Sequence, residues 1–494
     1  MKNVLIAIPQ LEVHRPPIST AIIAGVMQSH GYSVKCLDLN ITLFQQLGKQ
    51  AYYDLVGVWE KTRKPTDEET AMLLDFIQKE LVPYVDNDTR LLISVFTGNS
   101  HMFAKMACET VLALYPQCEI VLGGMGVNSF GQSMLQSKLC SYVIYGEGEE
   151  AVIELLKGNV NHPGINNSEN LVQVNDLNSL AFPDYSQYNF ELYDYLFEAK
   201  REVNIVGSRG CVRKCTYCNV AAYWPKFRYR SGQNLADEMI HHYENYGVNQ
   251  FYFTDSLING SLKAFRDMCD KLSKYNSDHK AGFKWGGQFI FKPKRQLTDD
   301  YFDMIAEAGG QQFYVGVETG SDKIRWEMDK KFTNEDIDYH LEHFQRTGLK
   351  CFFLMIIGYL TETLDDHHDN LKMYSRWQKY VASGTINGID LSTSLMFLSD
   401  TPLERMIDSH QVTFPVLEFD PIGNKRPNPM IWTSALNPDL TFEERIRRRL
   451  EVHEHAIKYK WPIWRGPERL KSLYEHVSLY KNGTPIKLPV MSVN

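Results

Sequence analysis

Short apolar runs and amphipathic stretches of helical period take turns along most of this chain. The first alternation places strands over residues 4–8, 33–37, 91–96 and 119–122, joined by helices over 18–29, stopped at Gly31, and 102–114. Such strand–helix–strand rhythm predicts a parallel sheet with helices on both faces, here a Rossmann-like, doubly wound α/β unit over residues 1–157. An insert over 43–88 is longer than an ordinary connection and partly helical, with no role the pattern reveals. Residues 158–194, rich in Asn, Gly, Pro and Ser, read as a linker.

A second series follows, with strands over 203–206, 250–254, 283–286, 313–317, 350–357 and 388–396. Its helices are well punctuated. Leu235, Met239, Tyr243 and Tyr246 share one face closed by Gly247, while Thr298 and Thr333 each stand before paired acids. Six such units over 195–400 predict a partial (β/α)6 TIM-type barrel, whose chemistry belongs at the C-terminal rim of its strands. Residues 401–494 lose the rhythm and read as a mainly helical segment. There Thr441 with Glu444 forms a capping box opening a helix to about Tyr459. The mixed charges of that helix, Arg445, Arg447, Arg448 and Arg449 among acids, read as a solvated salt-bridged face.

Composition narrows the class. With 494 residues, 44% of them hydrophobic and 23% charged, the chain is globular and long enough for several cores. A net charge of −8 argues against a bulk nucleic-acid partner. No apolar run approaches the ~20 residues that cross a bilayer, and the N-terminus lacks the pattern of a signal peptide, so a cytoplasmic protein with no membrane partner is expected. Nine cysteines, an odd number, argue for reduced thiols. Six stand singly among apolar neighbours and read as small buried hydrophobes.

The other three, Cys211, Cys215 and Cys218, fall in Gly-Cys-Val-Arg-Lys-Cys-Thr-Tyr-Cys, directly after the first strand of the second series. Three thiolates so close can converge on a soft metal centre. A structural zinc site wants four ligands, and no fourth Cys or His stands nearby in the sequence. An iron–sulfur cube with three protein thiolates keeps one iron open for an outside ligand. Gly210 would let the backbone approach a bulky cluster, and Arg213 and Lys214 would offset its charge. A zinc or purely structural cluster stays open as the alternative.

The spacing Cys-x-x-x-Cys-x-aromatic-Cys on this loop resembles the signature of radical S-adenosylmethionine (SAM) enzymes. The resemblance implies a 4Fe-4S cluster whose open iron binds the methionine end of S-adenosylmethionine. An electron from a reductase, flavodoxin or ferredoxin would then release a 5′-deoxyadenosyl radical that abstracts hydrogen from substrate. By the same likeness Tyr217 would pack near the adenine, and Arg230 falls in the family's basic stretch after the loop. Asp255, ending the second strand, would approach the cofactor's amino group. Glu318, in Gly-Val-Glu-Thr-Gly, would reach the ribose or methionine region, and Ile357 would meet adenine through backbone groups.

The first unit, the Tyr-Gly-Glu-Gly-Glu-Glu turn over 145–150 and Ala-Phe-Pro-Asp-Tyr over 181–185 resemble one subgroup, which carries a cobalamin-binding-type domain before the barrel. That likeness assigns Gly123, Gly124, Ser94 and Thr97 to the nucleotide tail of cobalamin. This chain departs from many cobalamin proteins in lacking Asp-x-His-x-x-Gly; His14 lies in the corresponding loop and reads as solvated. Leu360 and Ser399-Asp400 are smaller departures in two rim loops. Trp461, Trp464 and Arg465 read as packing rather than as a lid. The expectation is cobalamin-dependent methyl transfer to an unactivated carbon. Radical oxidation, rearrangement or ring formation without cobalamin, and a non-catalytic iron–sulfur or zinc protein, are the alternatives.

Overall fold

Five parallel strands form the first sheet: β1 (Lys2–Ala7), β2 (Lys35–Asp38), β3 (Thr89–Ser94), β4 (Glu119–Gly123) and β5 (Tyr142–Val143), in the order β2-β1-β3-β4-β5. The structure, a computed structural model, describes residues 1–60, 65–96, 100–169, 171–197, 201–391, 395–398, 400–408, 411–414, 417–419 and 425–464. Strand order reverses between β1 and β3, whose residues Val4 and Leu91 pair in register. In open α/β sheets the crevice beyond such a reversal is where ligands bind.

Side chains alternate across this sheet, and the two faces enter different cores. Leu5, Leu92 and Val121 pack with the first helix, Ile18–Ser29, in a core continuous with that of the barrel. Val4, Ile6, Leu91, Ile93, Ile120 and Leu122 face the other way. The insert has its purpose there. Its helices Leu39–Leu47, Lys49–Glu60 and Asp67–Glu80 bring Leu43, Phe44, Tyr52, Leu73, Phe76 and Ile77 onto that second face. The last of them opens with a Thr66–Glu69 capping box.

The stretch expected as a linker is bonded down at both ends. Ile165 bridges to Ile144, and Val172 to Gly146. Gln187 accepts from the Cys36 amide at 3.1 Å and donates to the Val34 carbonyl at 2.8 Å. Tyr185, fully buried, reaches the Asn204 carbonyl at 3.3 Å. Polar composition signals irregular backbone, and here that backbone is packed between two sheets.

The second sheet holds β6 (Glu202–Ile205), β9 (Gln250–Phe253), β10 (Lys284–Phe289), β11 (Gly310–Glu318), β12 (Lys350–Met355) and β13 (Ile386–Asp390), with a ribbon of β7 (Ser208–Arg209) and β8 (Arg228–Tyr229) beside it. The six large strands are parallel and in chain order, the partial barrel expected. The last strand ends at Asp390, short of the predicted 396, because Leu395 and Phe397 are buried instead under Trp432, Leu440 and Val412.

The helix Phe442–Lys458 overturns the reading of its charges. Arg445, Arg448 and Arg449 are buried, while exposed Arg447 pairs with Glu444 and Glu451, and Arg448 also reaches Glu444 at 2.9 Å. Arg445 lies over the Trp432 ring at 3.5 Å and donates to the Trp432 carbonyl at 2.9 Å. Arg448 reaches buried Glu362 at 3.1 Å. Charge pattern along the helix cannot tell a wet face from one whose partners arrive from the barrel. Trp461 is packing, as expected: it stacks edge-on to Tyr374 and donates to Gln378. Arg465 and Ser399 lie outside the described residues. No helix among the described residues is long and apolar enough to cross a membrane.

Candidate functional site

The three-cysteine loop leaves the C-terminal end of β6 and returns through β8. Gly210, at φ +89°, is required by its own loop: a Cβ there would lie 2.8 Å from the Lys226 carbonyl oxygen. That contact alone requires a glycine at this position. All three thiols are free; Cys215 is buried, while Cys211 and Cys218 are half-buried. Burial pushes the Cys215 thiol up to about 11 against the opposing pull of Lys330, and raises Cys211 as well. Metal binding therefore has to supply the drive for deprotonation. Among the described residues, no three His, Cys, Asp or Glu side chains are gathered around the position of a single metal ion. A cube, taking one thiolate on each of three irons, needs no such convergence.

Beside the thiols stands a network the sequence half revealed. The Tyr217 hydroxyl donates to Glu318 Oε1 at 2.7 Å, and the Lys330 ammonium reaches the same oxygen at 2.8 Å. Glu318 ends β11 at φ +67°, after a register shift between Gly316 and Glu318. A non-glycine residue held there stores strain that surrounding contacts must sustain. Gly316 clears the space, since a Cβ would lie 2.7 Å from Lys330 Nζ. Lys330 was missed: it follows a short helix in a Lys-Lys pair that reads as surface, yet it is 8% exposed.

Asp255 accepts from the Gly207 amide at 2.9 Å and the Ser208 hydroxyl at 2.5 Å. Burial pushes its carboxyl up to about 6, with these bonds opposing. Arg230 turns elsewhere than expected. It pairs with buried Glu238 and donates to Asn234 at 2.6 Å and the Val206 carbonyl at 3.3 Å. Glu238, 1% exposed, requires that countercharge, so Arg230 straps the end of β6 to the helix Gly232–Tyr246. Ile357 is fully buried; on either side, the Ile356 amide bonds the Glu318 carbonyl at 2.8 Å and the Gly358 amide bonds Glu362 at 3.1 Å.

A cavity of about 430 Å³ joins the two sheets. Ser94, Gly123 and Gly124 line it at the ends of β3 and β4; Gly210, Asp255 and Ser256 line it from the barrel rim. Its walls are largely apolar, with Leu5, Ile22, Ile23, Leu92 and Val121. A Cβ on Gly123 would find nothing nearer than 3.9 Å, so bare backbone faces the space. Gly124, at φ +99°, packs so that a Cβ would lie 2.5 Å from the Val95 carbonyl oxygen. Ser94 bonds Ser19 at 2.9 Å; Thr97 lies outside the described residues. His14 is not among the lining residues; its ring lies 3.7 Å from Glu12 and edge-on to Phe197.

One wall of this cavity is a charged knot. Glu147 receives Arg209 at 2.8 Å, the Trp224 indole at 3.0 Å, the Val174 amide at 2.6 Å, and Arg228. Glu149 also pairs with Arg209. The 145–150 turn of the first sheet is thereby tied to the ribbon that flanks the cluster loop. The sequence singled out the turn but not its partners, which stand about sixty to eighty positions on.

Residues 205–374, which include most of the parallel barrel and the three thiols on its first rim loop, match the family model described as the Radical SAM superfamily. The chain carries that domain behind an α/β sheet. It is similar to cytidylyl-2-hydroxyethylphosphonate methyltransferase of Streptomyces wedmorensis, 24% identical over 403 residues, covering 69% of this chain and 68% of the relative. It is also similar to an anaerobic magnesium-protoporphyrin IX monomethyl ester cyclase of Synechocystis, 25% identical over 226 residues, or 42% of this chain and 45% of that protein. Among solved structures, the radical SAM methyltransferase TsrM of Kitasatospora setae shares the fold, with a TM-score of 0.64 at 14% identity, covering 92% of this chain and 91% of that one.

Proposed function

We propose that this protein is a cobalamin-dependent radical SAM methyltransferase acting on an unactivated carbon. The cavity carries the reading, because it runs from the glycine-paved ends of β3 and β4 to the rim that bears the cluster loop. A bare backbone floor under apolar walls suits a large planar ligand such as cobalamin. Cys211, Cys215 and Cys218 suit a 4Fe-4S cluster with one iron left for S-adenosylmethionine. When bound, these groups supply a 5′-deoxyadenosyl radical and a transferable methyl group.

The chain's own share is placement. Asp255 offers its carboxylate to the cofactor's ammonium, and Tyr217 packs near the adenine, to which the backbone around Ile357 also turns. Tyr217 and Lys330 together fix the Glu318 carboxylate for the ribose and methionine region. Arg230 is left out of this set, since Glu238 occupies it. Ser94, Gly123 and Gly124 receive the cobalamin tail, and the walls exclude water from reactive species. A reductase with flavodoxin or ferredoxin as donor, and a cytoplasmic setting, belong to the same reading.

Anaerobically reconstituted protein tests it in two steps. Hydroxocobalamin added in slight excess should stay with the protein through size exclusion; failure to do so removes the cobalamin half. Dithionite and S-adenosylmethionine should yield 5′-deoxyadenosine, and its absence removes the radical half. Cleavage without cobalamin retention leaves radical oxidation or ring formation, the chemistry that the cyclase relative favours.

A further inference from the structure

We propose that Asn204 holds a carboxamide of the corrin ring by direct hydrogen bonding, from the barrel side of the cavity. The inference deepens the cobalamin reading and rests on it. Asn204 is the third residue of β6. Val203 and Ile205, on either side of it, are fully buried in the apolar core. Strand alternation therefore turns the Asn204 side chain to the opposite face, where it lines the cavity of about 430 Å³. The residue is 5% exposed, and its Oδ1 is buried with no hydrogen-bond partner. Interior amides are hydrogen-bonded as a rule, and one left unmade costs free energy that the fold must carry. Facing a cavity, such an atom points to a ligand that completes it.

Polar groups that share this wall are already engaged. Arg15 pairs with Glu202 at 2.7 Å and Glu12 at 3.0 Å, and lies over the Tyr252 ring at 4.6 Å. Tyr252 is the residue that pairs with Asn204 across β9. At the end of β6, Asp255 takes the Ser208 hydroxyl and the Gly207 amide. None of these serves Asn204. Place then narrows the occupant. The helix Ile18–Ser29 of the first unit packs against β6, and its Ile22 and Ile23 line the cavity with Leu5 and Leu92. Asn204 thus stands on the seam between the two sheets, below the rim from which the cysteine loop departs. A ligand there must suit apolar walls and still carry hydrogen-bonding groups at its edge. A corrin does both, being a hydrocarbon macrocycle rimmed with acetamide and propionamide groups. A carboxamide donates and accepts, so it matches an Asn amide in either orientation, and rotation about the Asn204 Cβ–Cγ bond brings either end round.

The test uses the full chain with its cluster reconstituted anaerobically, as wild type and as N204L, a near-isosteric change that removes the amide. Absorbance titrations give the Kd of hydroxocobalamin and of aquacobinamide, which keeps the corrin but lacks the nucleotide tail. Melts without either ligand give stability. N204L should bind both about tenfold more weakly. It should melt no lower than wild type, because it removes an unpartnered buried amide. Equal Kd values in the two proteins overturn the proposal. So does a loss confined to hydroxocobalamin, since the contact is then to the tail. An N204L that melts several degrees lower, or does not fold, makes Asn204 a packing residue and overturns it as well. So would a wild-type chain that binds hydroxocobalamin and no cobinamide, for the ring is then unheld. Wild type that binds neither brings down the cobalamin reading itself.

Discussion

Replacing Arg448 by Met strands a buried carboxylate. Arg448 is 3% exposed and Glu362 0%. The guanidinium lies 3.1 Å from Glu362 Oε1 and donates to the Glu362 and Thr363 carbonyls at 2.9 and 3.1 Å. In the variant Glu362 retains the Gly358 amide at 3.1 Å and the Asn370 amide at 3.4 Å, with neighbouring His367 4.0 Å away. Burial already pushes the Glu362 carboxyl above the usual range, and Arg448 is the largest influence holding it down. Without Arg448 the group can stay charged, at about 3–5 kcal/mol for a broken buried pair. Alternatively it takes a proton, at about 1.4 kcal/mol for each pH unit above the ~4.3 of a free glutamate. At pH 7.5 the second route also costs about 4 kcal/mol. The expected loss is therefore about 4 kcal/mol, or a melting temperature lower by roughly 8–16 °C for a unit of this size.

The pH dependence separates this account from lost packing. A carboxyl whose folded pKa is raised favours the fold when protonated, so stability falls as pH climbs through the unfolded value towards the folded one. The deficit of R448M should shrink to below about 2 kcal/mol at pH 5.5. Circular-dichroism melts at pH 5.5 and 7.5 measure both. Adding Glu362→Gln to R448M should restore more than half the loss, because an amide oxygen still accepts from Gly358. A deficit under about 1 kcal/mol at pH 7.5, or one equal at both pH values, would refute the reasoning.

Other outcomes follow from the same geometry. Cys211→Ala, Cys215→Ala and Cys218→Ala should each abolish the brown iron–sulfur absorbance and cofactor cleavage, whereas Cys269→Ala and Cys351→Ala should keep both and lose at most about 3 kcal/mol in a melt. Gly123→Leu should leave the fold intact and weaken cobalamin retention by about tenfold or more, because its side chain enters the cavity. Gly124→Ala should destabilise by about 1–3 kcal/mol, since its positive φ and the Val95 carbonyl oppose a Cβ. Asp255→Asn should be at least as stable as the parent above pH 6: burial raises this carboxyl to about 6, so its penalty appears as pH rises from about 4 and is complete by then. Melts across pH 4–8 check this, and a variant that loses ground as pH rises contradicts it.

Much of this molecule was legible because the relevant physics is local. Alternation of apolar runs with helical periods marks strands and helices within windows of a few residues, and it placed both sheets and the order of the barrel strands. The three cysteines, the aromatic before the last of them and the glycines after β4 are contiguous signals of the same kind. What the chain pattern left dark depends on partners far along it. Tyr217 and Glu318 are 101 positions apart, and Arg448 and Glu362 are 86 apart.

Tertiary structure alone decided which charges are buried. It turned Arg230 away towards Glu238, buried Arg448 and Arg445 on a helix that reads as wet, and sank Lys330 against Glu318 and Tyr217. It also fastened a Gly- and Pro-rich stretch that reads as a loose tether. The physical reason is common to all of these. A polar side chain is stable at the surface on its own, but in the interior only with a partner, and which groups meet is set by packing between elements rather than by spacing within one.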